Sequence, residues 1–265
     1  MRLSPHSIRV FQKTVLRYFD KHKRDFPWRR GVTPYKTLVS EIMLQQTQAD
    51  RVAKYFPRFI KQFPTIQALA QASITRVLRA WQGLGYNRRA LFLHRCAQHI
   101  VRQHKGAIPN TISELDALPG VGYATACSIV AFAYNKPTVF IETNIRSVYI
   151  HHFFKNKKNI SDATLISLVK QTLYSKNPRR WYSALMDYGT ILKKREANPS
   201  RQSAHYIKQK PFKGSTRQIR GRIVKELLKR KDAKDIVRLL KNVGFGEAAI
   251  KKSLSTLKKE GFTGL

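Results

Sequence analysis

The chain has 265 residues, and its 51 lysines and arginines against 15 acids give a formal charge of +36. That length can bury a sizeable core, as one large domain or two to three small ones. So basic a surface points to a polyanion partner, with a solubility habit as the plainer alternative. The two cysteines, Cys96 and Cys127, sit in apolar helical contexts without ligand spacing and read as core thiols of a reducing compartment, and no run approaches the roughly 20 apolar residues of a membrane span.

Residues 1–20 carry Val10, Phe11, Val15, Leu16 and Phe19 at helical spacing, an amphipathic helix rather than the apolar block of a signal peptide. Helical periodicity continues over 38–59, 66–70, 74–83, 88–104, 112–117, 123–133, 144–154, 162–173 and 178–194. Thr111-Ile112-Ser113-Glu114 and Ser161-Asp162 supply capping signals, and Pro109 and Pro137 close connections. Only Thr138 to Ile141 looks extended, and it is too short for a sheet, so the expected class is all-α.

Over 198–214 the periodicity lapses into Pro, Ser, Gln and Lys, a linker or a surface strap. Three more helical patterns follow at 216–230, 232–242 and 247–259. They suit either a helix-turn-helix or winged-helix module whose third helix meets DNA, or a plain helical cap on the main domain. The expected division is a core over 1–197, a strap over 198–214 and a basic module over 215–265.

Leu118-Pro119-Gly120-Val121-Gly122 lies between two helical patterns. Its glycines permit a tight turn and leave amide N–H groups open at the start of the next helix, which suits phosphate. An ordinary helix-helix turn is the alternative. Beyond that helix a Val-Phe-Ile run leads to a carboxylate at Glu142.

Five ordered segments carry a family resemblance: Phe26-Pro27-Trp28-Arg29, Ser40 to Gln48, Gly83 to Ala90, Leu115 to Gly122, and Ala184-Leu185-Met186-Asp187-Tyr188-Gly189. Together they resemble the MutY family of adenine DNA glycosylases in the helix-hairpin-helix superfamily, over roughly 26–189. The resemblance implies two helical subdomains with DNA across the cleft between them. It also implies base excision repair of double-stranded DNA carrying a mispaired or damaged base, by a monomer in the cytoplasm or on a bacterial nucleoid.

Breaking a purine N-glycosidic bond leaves positive charge on the sugar and negative charge on the departing base, so the reaction needs an acid and a carboxylate. By resemblance Glu41 is the acid, and its apolar neighbours Ile42, Met43 and Leu44 would raise its pKa through partial burial. A surface pair with Arg51 or Lys54 is the alternative. Glu142 stands where the family has aspartate, and would stabilise the oxocarbenium sugar or bond to it transiently. Its extra methylene moves the carboxylate by about an ångström, which costs ~100-fold if uncompensated. The pocket is rebuilt for the longer arm, the reaction differs, or activity is lost. Capping the helix that begins at Asn144 is a further reading.

Ala124 stands where bifunctional relatives such as endonuclease III carry a nucleophilic lysine, so a monofunctional glycosylase is expected, another lysine remaining open. The family's iron-sulfur cluster needs four cysteines, whereas 191–210 holds Lys193, Lys194, Arg195 and His205 and no cysteine, so no cofactor is expected. The strap's cations would take over its phosphate-binding work.

Base flipping needs a wedge to fill the emptied stack. Gln45, Gln46 and Tyr86 match wedge positions, with helix-end polarity and a core tyrosine as alternatives. Thr47, Asn87, Arg88 and Arg89 stand beside them as DNA contacts, though each charge could be merely solvated. The hairpin residues Leu118, Gly120, Val121, Gly122, Tyr123 and Thr125, together with Asn144 and Arg146, complete the expected contacts. Trp28 reads as core rather than a stacking platform. The roughly 65 residues beyond position 200 are too few for the Nudix-like domain with which MutY relatives recognise 8-oxoguanine, so the opposite base is open. So are two other functions: excision of uracil, mismatched thymine or an alkylated purine, and catalytically silent binding of a DNA structure.

Overall fold

A computed structural model describes residues 1–195, 197–209, 211–229 and 231–262. Helices α1 (Pro5–His22), α2 (Pro34–Leu44), α3 (Ala49–Gln62), α4 (Ile66–Gln71), α5 (Ile74–Trp81), α6 (Arg88–Gln103) and α7 (Ile112–Asp116) lead to α8 (Tyr123–Tyr134). They are followed by α9 (Thr143–Phe153), α10 (Asp162–Thr172), α11 (Pro178–Arg195), α12 (Thr216–Leu227), α13 (Ala233–Asn242) and α14 (Glu247–Glu260). No strand occurs among the described residues, so the class is all-α as expected. None of the described helices is long and apolar enough to cross a membrane.

The apolar period over 38–59 is broken into α2 and α3. Gln46 takes a left-handed φ of 54°, and the Thr47 amide donates to Leu44 O in a turn. Hydrophobic spacing does not register so short an interruption, because the apolar positions resume in step on the far side. The predicted helix end at Arg230, the strap's Lys210 and the last three residues of the C-terminal module, 263–265, lie outside the described residues.

Two compact units emerge. The first comprises Met1–Thr37, Asn110–Ala117 and Val121–Lys208. Its core gathers Phe11, Val15, Cys127, Ile145, Tyr149, Trp181, Tyr182 and Leu185 from α1, α8, α9 and α11. The Tyr149 hydroxyl meets Thr172 Oγ1 at 2.5 Å, and Tyr182 O–H donates to Thr138 O at 2.5 Å. The segment Thr138 to Ile141 is thus an extended connection held by a core tyrosine, with Thr138 Oγ1 donating to Cys127 O at 3.1 Å. The start of the strap pairs on this unit as well: Ile160 N donates to Gln202 O and Ala204 N to Ile160 O, each at 3.0 Å.

Two of the sequence segments meet in this unit. Asp187, 2% exposed, accepts from Arg24 Nε at 2.7 Å and Arg24 N at 2.9 Å, and from Arg29 at 2.8 and 3.0 Å. Both guanidiniums lie over the Phe26 ring, 4.9 and 5.3 Å from its centroid, and Trp28 stacks on Phe26 at 4.6 Å. A carboxylate this buried is tolerated because paired cations and hydrogen bonds replace its water.

The second unit comprises Leu38–Pro109, Leu118–Gly120 and the described residues from Gln209 onward. Phe59, Phe63, Leu69, Trp81 and Cys96 are buried in it. Burial pushes the Cys96 thiol up to about 12. The C-terminal helices belong to this unit: Arg79 donates to Leu228 O at 3.3 Å, and Arg220 pairs with Glu260 at 2.5 Å. No strand accompanies α12 to α14 among the described residues, so of the alternatives left open, helix-turn-helix or winged-helix module or plain helical cap, the winged helix finds no wing there.

Asp187→Asn should cost about 3–5 kcal/mol, because it leaves two cations facing a buried neutral amide. Urea unfolding measures this, and a loss below about 1 kcal/mol would show that water already screens the cluster.

Candidate functional site

In the second unit Glu41 is half-buried on α2 beside buried Ser40, Ile42 and Met43. Helix α2 needs an acceptor-satisfying partner at its end, because the last carbonyls of a helix have no N–H of their own. Arg89 supplies it. Its Nη1 donates to Ile42 O at 2.9 Å, Met43 O at 2.6 Å and Gln45 O at 2.6 Å, and its Nη2 donates to Thr47 Oγ1 at 2.9 Å and Gly85 O at 3.1 Å. The residue is 8% exposed, and burial brings the guanidinium down to about 10. This corrects the phosphate role expected of Arg89: its charge faces helix carbonyls inside the protein. Arg88 is exposed and lies over the Phe92 ring at 4.9 Å, and Asn87 is half-buried at the head of α6.

Gln45 Nε2 donates to Gly120 O at 3.2 Å, which ties the end of α2 to the glycine turn. Gln46 is exposed at its left-handed φ. Gly120 has φ 79°, and a Cβ there would stand 2.5 Å from Phe92 Cβ, so backbone and packing both require glycine. Leu118 and Val121 are buried, so their side chains pack and their contact with an anion is left to the backbone, as the reading of the turn had it.

In the first unit Gly122 caps α8 without a side-chain bond, and nothing lies within 4 Å of where its Cβ would stand. Tyr123 is 58% exposed, Ala124 is exposed and Thr125 is half-buried. An open helix start with unobstructed amides suits a phosphate oxygen.

Glu142 is the N-cap of α9. Its Oε1 accepts from Asn144 N at 2.6 Å and Ile145 N at 2.8 Å, and its Oε2 accepts from Asn144 Nδ2 at 3.1 Å. The capping alternative therefore holds, and it fixes the carboxylate. Burial pushes this carboxyl above the usual range, opposed by the Ile145 amide, Lys193, the Asn144 amide and Arg146. Asn144 is held in turn by α11: a Cβ on Gly189 would meet Asn144 O at 2.3 Å, and Thr190 Oγ1 approaches Asn144 Oδ1 at 3.4 Å. Arg146 pairs with Asp162 at 2.9 and 2.7 Å and holds that carboxyl below its ordinary value. The side chains of Asn144 and Arg146 thus have partners inside the unit, where the sequence suggested DNA.

Lys193 is the residue whose role the sequence did not reveal. Half-buried in the last turn of α11, it is brought below its ordinary pKa by desolvation and pulled back up by Glu142. Its spacing of one turn from Gly189 was a signal, legible only once Gly189 is known to pack on Asn144.

The region read in the sequence as lacking cluster cysteines, 191–210, begins at the end of α11. The last turn of α11 ends in Lys193, Lys194 and Arg195, both cysteines are buried in helices, and no group of three or more His, Cys, Asp or Glu among the described residues could hold a metal.

A family model described as HhH-GPD superfamily base excision DNA repair protein matches residues 39–171. The chain is 47% identical over 140 residues to an adenine DNA glycosylase of Mycobacterium tuberculosis, covering 52% of this chain and 46% of that one. It is 34% identical over 188 residues to one of Buchnera aphidicola subsp. Baizongia pistaciae, covering 69% and 53%. The chain thus spans about half the length of the curated relatives it matches. A solved thermostable thymine-DNA glycosylase superposes with TM-score 0.63 at 24% identity, over 70% of this chain and 87% of that one. A non-covalent endonuclease III-DNA complex gives 0.55 at 18%, over 72% and 86%. These two likenesses show the fold.

Because the folded Glu142 carboxyl is raised, its contribution to stability is complete below the unfolded pKa of about 4.3 and is lost as pH rises through the folded value. Glu142→Gln keeps a cap acceptor without the buried charge. It should raise the melting temperature at pH 8 by a few degrees, roughly the shift that 1 kcal/mol gives, and the gain should vanish near pH 4. A gain independent of pH would contradict the assignment.

Proposed function

The chain belongs to the HhH-GPD superfamily of base excision DNA repair proteins, and on that basis we propose that it is a monofunctional adenine DNA glycosylase. It acts as a monomer on double-stranded DNA carrying a mispaired or damaged base. The observation that carries the proposal is Glu142, an anchored carboxylate kept at the cost of burial, with Lys193 as counter-charge. A cap alone has no need of a desolvated glutamate, since asparagine or serine serves as well. Identity to curated adenine glycosylases supports adenine as the base.

In this reading Glu41 protonates the flipped adenine as its bond to C1′ breaks and the bonding electrons leave with the base. The ionised Glu142 faces the positive sugar, and water adds at C1′ with loss of a proton. Glu142 must therefore be deprotonated to act, and Lys193 favours that form. Gln46 and Tyr86 serve as wedges, and the amides of Gly122 to Thr125 grip phosphate. Ala124 offers no amine for a Schiff base, so the abasic strand stays intact. No cluster takes part, because 191–210 contains no cysteine.

Duplexes carrying single mispairs or lesions, treated with alkali after incubation, should reveal abasic sites opposite the mispaired partner of adenine. Glu41→Gln should lower release by ~100 to 10,000-fold with duplex affinity nearly unchanged. Lys193→Met should move the acid limb of the pH-rate profile to higher pH. Borohydride should trap no covalent adduct. Release from every duplex except the adenine mispairs would overturn the choice of base, and a trapped adduct would overturn the monofunctional assignment.

A further inference from the structure

The loop between α5 and α6 is built to hold one aromatic ring. Gly83 has φ 95°, and a Cβ there would fall 2.0 Å from the Tyr55 hydroxyl. The Gly85 carbonyl accepts from Trp81 Nε1 and from Arg89 Nη2, each at 3.1 Å. Tyr86 then takes a φ of 48°, a left-handed conformation that an L residue keeps only when its surroundings enforce it.

Those surroundings come from an unexpected part of the chain. The Tyr86 ring has the Arg89 guanidinium 5.4 Å from its centroid and the Arg217 guanidinium at 5.8 Å. Arg217 Nη1 also donates to the Tyr86 hydroxyl oxygen at 3.0 Å, and Gln209 Nε2 donates to the same oxygen. Gln209 and Arg217 lie beyond residue 171, where the family match ends. A phenol oxygen has two lone pairs and one hydrogen. With both lone pairs engaged by side-chain donors, the hydrogen is left to point at an acceptor elsewhere, such as a base edge or a phosphate oxygen.

We propose that Arg217 and Gln209 are positioning residues for Tyr86: they hold its ring in one rotamer, ready to enter a DNA stack, and direct its hydroxyl hydrogen outward. Gln209 and Arg217 thereby belong to the DNA-reading apparatus. An unheld tyrosine samples several staggered rotamers and loses that freedom on binding. Holding the ring beforehand removes this loss from the step in which the base is displaced. The inference rests on the glycosylase reading for its kinetic consequence, and on the geometry of Tyr86 alone for its structural one.

The test places 3-fluorotyrosine at position 86 and follows its fluorine resonance in the full chain, free and with an undamaged duplex. Wild type should give one sharp line that moves on adding duplex. Arg217→Met and Gln209→Ala should shift and broaden it in the free protein, and Arg217→Lys should restore part of the original line. In single-turnover assays at saturating enzyme each loss should lower base release by about 10 to 100-fold, the scale of a misplaced group. Tyr86→Phe should cost as much, with no further loss in the double variant with Arg217→Met. An unchanged resonance would overturn the proposal, as would additive losses or losses that track a fall in melting temperature. If wild type releases no base, the glycosylase reading fails, while the resonance still decides the positioning of Tyr86.

Discussion

Helix α11 is set in place by one buried ionic cluster, and the environment of Glu142 follows from that placement. Asp187 accepts from Arg24 and Arg29 while almost fully removed from water. In a chain with 15 acids against 51 strong bases, a buried carboxylate finds cations readily, and its geometry decides which ones. With Asp187 anchored, Gly189 on the next half-turn lies against the Asn144 carbonyl, and Lys193 one turn later reaches the field of Glu142. A displaced α11 would loosen the Asn144 side chain and remove the counter-charge together.

The second unit uses the opposite device, a buried cation among neutral carbonyls. Arg89 closes the end of α2: its Nη1 reaches the carbonyls of Ile42, Met43 and Gln45, while the other arm of its planar fork takes Thr47 Oγ1 and Gly85 O. Lysine would bring a point charge without that geometry. The arginine also bonds Gly85 O and lies near the Tyr86 ring, so the helix bearing Glu41 and the loop bearing Tyr86 share one anchor.

The glutamate at position 142, read in the sequence as a departure from the aspartate of the family it resembles, has a structural account. The longer arm folds back over its own helix start, so that one oxygen takes two backbone amides and the other takes the Asn144 amide. Three hydrogen bonds hold the carboxylate in place. Desolvation then works against the charge, and Lys193 works for it.

The helical class and nearly every helix were legible from apolar spacing and capping residues, as at Ser161 for α10 and Thr111 for α7, because these depend on neighbours in sequence. The candidate carboxylates, the glycine turn and the absence of cysteine from 191–210 could likewise be read from residue types at fixed spacing. Tertiary structure alone decided which charges turn inward. Arg88 and Arg89 are adjacent and chemically alike, yet one is exposed and the other buried, a difference set by carbonyls more than 40 residues away. The same holds for Asp187 with Arg24, for Glu142 with Lys193 and for Tyr86 with Arg217. Such partnerships join residues whose separation along the chain carries no periodic signal, and their strength comes from the low dielectric that only the folded protein provides.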